Sequence, residues 1–162
     1  MKTSTRHLII ALSLAMPLAG SPAIAAETHD HGHAETTALT LDHGRKWATD
    51  DPLRLAMGNL RQAVSEALPQ AHAGTLTDAQ YDGLGAQTNR ELSYIVQNCK
   101  LPPDADAALH VILGDVVAGA DVAAGKQAGQ PRADGVVALA RALNRYGEYF
   151  DHPGWENVSI PH

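Results

Sequence analysis

The chain has 162 residues, 12 Lys and Arg against 18 Asp and Glu, one Cys and few aromatics: one Phe, two Trp and four Tyr. That length fits one domain, and 44% apolar with 19% charged residues supplies a core, which excludes wholesale disorder and collagen-like repeats. A single cysteine excludes a disulfide scaffold.

Residues 1–25 read as a signal peptide. Lys2 and Arg6 precede an apolar run over 8–19, and Ala23-Ile24-Ala25 has the small-residue form of a cleavage site. About twelve apolar residues fall short of the roughly twenty needed to span a bilayer, so the segment predicts export to the periplasm with no membrane anchor after processing. Cleavage near Ala25 removes Lys2 and Arg6 and no acid, taking the net charge from −6 to −8. A chain this acidic excludes nucleic acid as a partner. Exported compartments are oxidising, so the lone Cys99 is a free thiol, an intermolecular disulfide partner or a metal ligand.

Residues 26–49 lack a sustained apolar period and are dense in His, Thr, Ala and Gly, which predicts a flexible His-rich arm. Residues 50–152 read as four amphipathic helices. Asp51-Pro52 supplies a cap and an early proline for the first, and Leu53, Met57, Leu60, Val64 and Leu68 recur at helical spacing up to Pro69. Thr77-Asp78-Ala79-Gln80 has the capping-box form that opens the second, whose stripe is Tyr81, Leu84, Thr88, Leu92, Ile95, Val96 and Cys99. Leu101-Pro102-Pro103 ends it, and Asp104 is placed to cap the third.

The third stripe is Leu109, Ile112, Leu113, Val116, Val117, Ala120 and Ala124, up to about Gly125. This helix also carries Gly114, Ala118, Gly119 and Ala123, small residues that fit either a close helix contact or a cavity. The fourth helix, over about 132–151, turns Val136, Leu139, Ala140, Leu143, Tyr146 and Phe150 inward, and His152-Pro153-Gly154 stops it before a tail over 153–162. No strand pattern is present. The predicted fold is all-α, an antiparallel up-and-down four-helix bundle.

That topology draws Met57, Cys99 and His110 to one end of the bundle, with Met57 and His110 each about 9 Å into it at 1.5 Å per residue. Thioether, thiolate and imidazole together select Cu(I), and thiolate with imidazole also suits zinc, so Cys99, His110 and Met57 are the candidate metal ligands. His29, His31 and His33 in the arm add borderline nitrogen donors for Cu(II), Ni(II) or Zn(II). There is no G-x-S-x-G, no phosphate loop and no Glu-x-x-His pair, and Asp104 and Asp106 read as first-turn acids, so no enzyme is expected. A bundle with no cofactor remains the alternative, with Trp47 and Trp155 stapling its ends.

Two stretches carry a resemblance. The run Leu53-Arg54-Leu55-Ala56-Met57-Gly58-Asn59-Leu60, with residues 112–150 including Asn144-Arg145-Tyr146-Gly147-Glu148-Tyr149, resembles the periplasmic cytochrome b562 family. The resemblance implies a four-helix bundle, haem b and electron transfer, with Met57 as one axial ligand. The position matching the family's axial His is Gly147, so His110 or His152 would have to substitute. Residues 94–113, YIVQNCKLPPDADAALHVIL, are similar to small exported proteins labelled DnrO, which are associated with denitrification.

Overall fold

The computed structural model describes residues 39–161. The signal peptide and the arm histidines His29, His31 and His33 lie outside the described residues. Four helices follow in the expected order, α1 (Asp51–His72), α2 (Asp78–Asn98), α3 (Pro103–Ala123) and α4 (Arg132–Tyr149), flanked by two short strands, β1 (Trp47–Ala48) and β2 (Phe150–Asp151).

The helix ends differ from the sequence reading for local reasons. The residue that caps α1 is Asp50 rather than Asp51: its Oδ1 accepts the Leu53 amide at 2.9 Å, in the geometry that satisfies an orphan donor of the first turn. The helix runs through Pro69 to His72, because a proline lacks only its own N–H and its carbonyl still accepts from Ala73 at 3.0 Å, while Ala71 is drawn into the core. At α2 both arms of the capping box form, Thr77 N to Gln80 Oε1 at 2.8 Å and Gln80 N to Thr77 Oγ1 at 3.3 Å. Asp104 does not cap α3. Pro102 holds that position without a side-chain bond, and Asp104 and Asp106 sit in the first turn, where the helix dipole favours acids.

At its other end α4 stops two residues early. Phe150 turns extended, and β2 pairs in parallel with β1, Trp47 opposite Phe150 and Ala48 opposite Asp151. Two-residue strands are too short to show alternation, which is why the sequence gives no hint of them. They bring defined structure to residues 39–49, the latter part of the stretch read as an arm. His43 and Gly44, at φ of 49° and 82°, form a tight turn closed by the Asp42 and Arg45 backbones. Beyond it Lys46 Nζ donates to the Gly147 carbonyl at 2.6 Å and Thr49 Oγ1 to that of Asp151 at 2.6 Å.

Helix α1 packs against α2 and α4, and α3 packs against the same two. Leu53, Met57, Leu60, Val64, Ile112, Val116, Leu139, Leu143 and Tyr146 fill the centre. Two residues of the predicted stripes face outward instead, Val96 (76% exposed) and Val117 (44%). Each follows a buried neighbour, Ile95 or Val116, by about 100° of helix rotation, and only one of such a pair can hold the inward position.

The small residues of α3 serve a close helix contact. A Cβ on Gly119 would lie 2.9 Å from the Leu139 amide nitrogen, and one on Gly135 would overlap the backbone of Ala123 and the Gly119 carbonyl. Gly114 has nothing within 4 Å of that position. Gly114→Ala is therefore expected to stabilise the chain by up to about 1 kcal/mol through helix propensity alone, read as a higher urea midpoint with unchanged slope. Among the described residues, no helix is long and apolar enough to cross a membrane.

Candidate functional site

Cys99 is where α2 lets go of the helix. Its amide still bonds the Ile95 carbonyl at 2.8 Å, but its own backbone is extended, which turns the chain toward Pro102-Pro103. The thiol reaches Asp50, Sγ to Oδ1 at 3.5 Å, and the other oxygen of Asp50 accepts the Lys100 amide at 2.6 Å. One carboxylate thus caps α1 and holds the start of the α2–α3 connection. Burial pushes the Asp50 carboxyl up, but the Lys100 and Leu53 amides and the Cys99 thiol together bring it below the ordinary value. The thiol moves the other way. Burial first, and then the negative charge and hydrogen bond of Asp50, push it up to about 12, so at neutral pH it is a protonated donor.

His110 follows the buried Leu109 on α3 and lies at the edge of the apolar stripe, its side chain 68% exposed. Its Nδ1 lies 2.8 Å from the Asp106 carbonyl and 3.4 Å from the Asp106 carboxylate. A carbonyl only accepts, so Nδ1 carries a hydrogen there, which leaves Nε2 as the nitrogen that can offer a lone pair to a metal. This is the arrangement that fixes a ligating histidine.

Cys99, His110 and Asp106, with Ile95, Leu109 and Leu113, line one hollow of about 250 Å³ between α2 and α3. The structure brings Cys99 and His110 together there and leaves Met57 out. The Met57 thioether is 0% exposed in the helix core with Leu53, Leu60 and Val64, because its place on the α1 stripe points it at the centre and not at the α2–α3 seam. Among the described residues, no three His, Cys, Asp or Glu side chains are grouped closely enough to hold a metal ion.

The residues do not fit a haem held in the cytochrome manner. Position 147 is covered by the Trp155 indole, and any Cβ there would overlap its Nε1 and Cδ1 and stand 3.1 Å from Asn157 Oδ1. Tyr146 is fully buried beside it, stacked on Phe150 at 5.2 Å and edge-on to Trp155 at 4.8 Å. His152 bonds the Tyr146 hydroxyl through Nδ1 at 3.1 Å. A ligating side chain at 147 therefore has no room beside Trp155.

Two residues of this region carry more than sequence reasoning assigned them. Asp50 emerges as the partner of the thiol although it lies 49 positions away, a residue passed over in the sequence, where the cap of α1 was placed at Asp51. Trp155, read as a staple, covers Gly147. Comparison of the chain with protein-family models, with curated proteins and with solved structures finds no match.

Proposed function

We propose that the chain is an exported, periplasmic protein of up-and-down four-helix topology that binds copper, as Cu(I), at the α2–α3 hollow and serves metal handling or denitrification-linked redox physiology without catalysing a reaction. The observation that supports this reading is the meeting of Cys99, just past the end of α2, and His110 of α3 in one hollow, with the imidazole oriented so that Nε2 is the available donor. Soft thiolate with imidazole suits both Cu(I) and zinc, and Cu(I) is the one of the two that is stable with so few ligands. His29, His31 and His33 lie upstream in the chain and supply borderline donors for capture from solution.

The thiol has to lose its proton to ligate. Since burial and Asp50 hold it at about 12, copper binding releases a proton and weakens as pH falls. In an anaerobic competition with a chromophoric Cu(I) chelator, one ion is expected per chain, and Cys99→Ser is expected to lower affinity at least about tenfold, with His110→Ala following in the same direction. Equal affinity in Cys99→Ser sinks the site. No uptake of copper by the unmodified chain would leave the cofactor-free bundle as the reading.

A further inference from the structure

We propose that the turn over residues 152–157 is a proton-released strap, which lies across α4 and α1 while His152 is neutral and lifts Trp155 away from Gly147 when His152 takes up a proton. This inference is independent of copper binding.

The docked state rests on a small set of contacts. Gly154, at φ of 76°, lets the Trp155 amide close on the His152 carbonyl at 3.0 Å, and this turn lays the indole on the bare backbone of Gly147. The indole meets the Tyr146 ring on one side, the His152 ring at 4.9 Å, and the Arg61 guanidinium of α1 at 6.0 Å. Its Nε1 is buried and, among the described residues, has no hydrogen-bond partner, so the docked indole forgoes a bond that water would supply.

His152 is the group whose charge decides the balance. The buried Tyr146 hydroxyl and His152 Nδ1 share a hydrogen bond at 3.1 Å, and only a neutral ring with its proton on Nε2 offers Nδ1 as acceptor for the phenol proton. Protonation puts a hydrogen on Nδ1, so the bond has to reverse: the phenol oxygen becomes the acceptor and its own buried proton loses the partner it had in the neutral ring. The surrounding charges disfavour the cation as well. From α1, Arg54 and Arg61 act on it, and burial followed by these two arginines lowers the affinity of the ring for a proton. From α4, Tyr146 stays a neutral phenol, raised by burial, while Asp50 and Cys99 act on that hydroxyl. Glu148, Asp151 and Lys46 share with His152 the open hollow of about 750 Å³ at the end of α4, where Lys46 is already bonded to the Gly147 carbonyl.

The direction follows. An imidazole whose proton affinity is lowered by docking favours the docked form above the ordinary value of 6.5 and opposes it progressively below. Release stays local, because Asn144 grips Val158 through two bonds, Nδ2 to the carbonyl at 3.0 Å and the amide to Oδ1 at 2.7 Å.

The test uses the full chain carrying Trp47→Phe, which leaves Trp155 as the sole indole, and follows acrylamide quenching from about pH 7.5 down to about 4.5. Quenching access is read in preference to intensity, because an imidazolium dims a neighbouring indole without any movement. Access is expected to rise about threefold with a midpoint below 6.5, to stay flat in His152→Gln, and to rise at a higher pH in Arg61→Gln, where one opposing charge is gone. Constant access across the range overturns the proposal even if intensity falls, and so does a His152→Gln chain that titrates like its parent. Should His152→Gln fail to fold, an unshifted midpoint in Arg61→Gln is the overturning result.

Discussion

Gly135→Ala is expected to destabilise the chain by about 2–4 kcal/mol, although the same change on an exposed helix face would gain up to about 1 kcal/mol from propensity. The reversal comes from what the new methyl meets. At this position a Cβ overlaps Ala123 N and Cα and the Gly119 carbonyl, all backbone atoms of α3 that have no rotamer to change. The two helices would have to separate, and the seam that closes on Leu139, Ala140 and Ala123 would open with them. Urea unfolding at neutral pH should give a lower midpoint with an unchanged slope, against Gly114→Ala as the variant whose methyl meets nothing. A Gly135→Ala chain as stable as the parent would mean that the α3–α4 contact is looser than its geometry indicates.

This contact also marks how far the sequence could be read. Helical spacing of Leu53, Met57, Leu60 and Val64, and of Val136, Leu139, Leu143 and Tyr146, was legible because a 3.6-residue period has one inward face. The small residues of α3 were legible as a group, but their purpose was not. Whether Gly119 faces a helix or a void depends on Gly135 and Leu139, sixteen and twenty residues away on another element. Val96 and Val117 were misplaced for a related reason: two adjacent apolar residues satisfy a pattern equally, and only the position of the neighbouring helix chooses between them. The β1–β2 pair carried no signal, since its four residues are joined across about a hundred positions by backbone hydrogen bonds.

The candidate site divides the same way. Cys99 and His110 were singled out by chemistry and placed together by topology, and the hollow between α2 and α3 does contain both. Met57 was drawn to them by depth along the axis, but depth does not fix direction, and its stripe turns it into the core. Gly147 is the most instructive position. As a departure from the cytochrome pattern it reads as a missing ligand, whereas in the fold it is the floor on which Trp155 rests, a use that requires the absence of any side chain. The tail that follows α4 therefore takes the space a ligand at that position would use.

Asp50→Ala is the second large effect, again about 2–4 kcal/mol, because the change removes a helix cap and a charged acceptor for a second element at once. Both Leu53 and Lys100 lose their carboxylate partner, and the start of α1 separates from the α2–α3 connection. Asp50→Asn should cost less, since an amide oxygen still caps α1 but its nitrogen turns a donor toward Lys100. The pH dependence has a definite sign. The native carboxyl lies below the ordinary 3.8, so its contribution is present above about pH 4 and is lost as pH falls through the native value. The gap between parent and Asp50→Ala in urea midpoint should accordingly narrow between pH 7 and about pH 3. The thiol reports the same carboxylate independently. With Asp50 neutralised in Asp50→Asn, the Cys99 value should fall from about 12 yet stay above the ordinary 9.0, because burial remains. Iodoacetamide alkylation measured against pH should show its inflection moving down in this variant. An unmoved inflection would mean that burial alone holds the proton on Cys99, and Asp50 would then be a structural tie with no hold on the reactivity of the thiol.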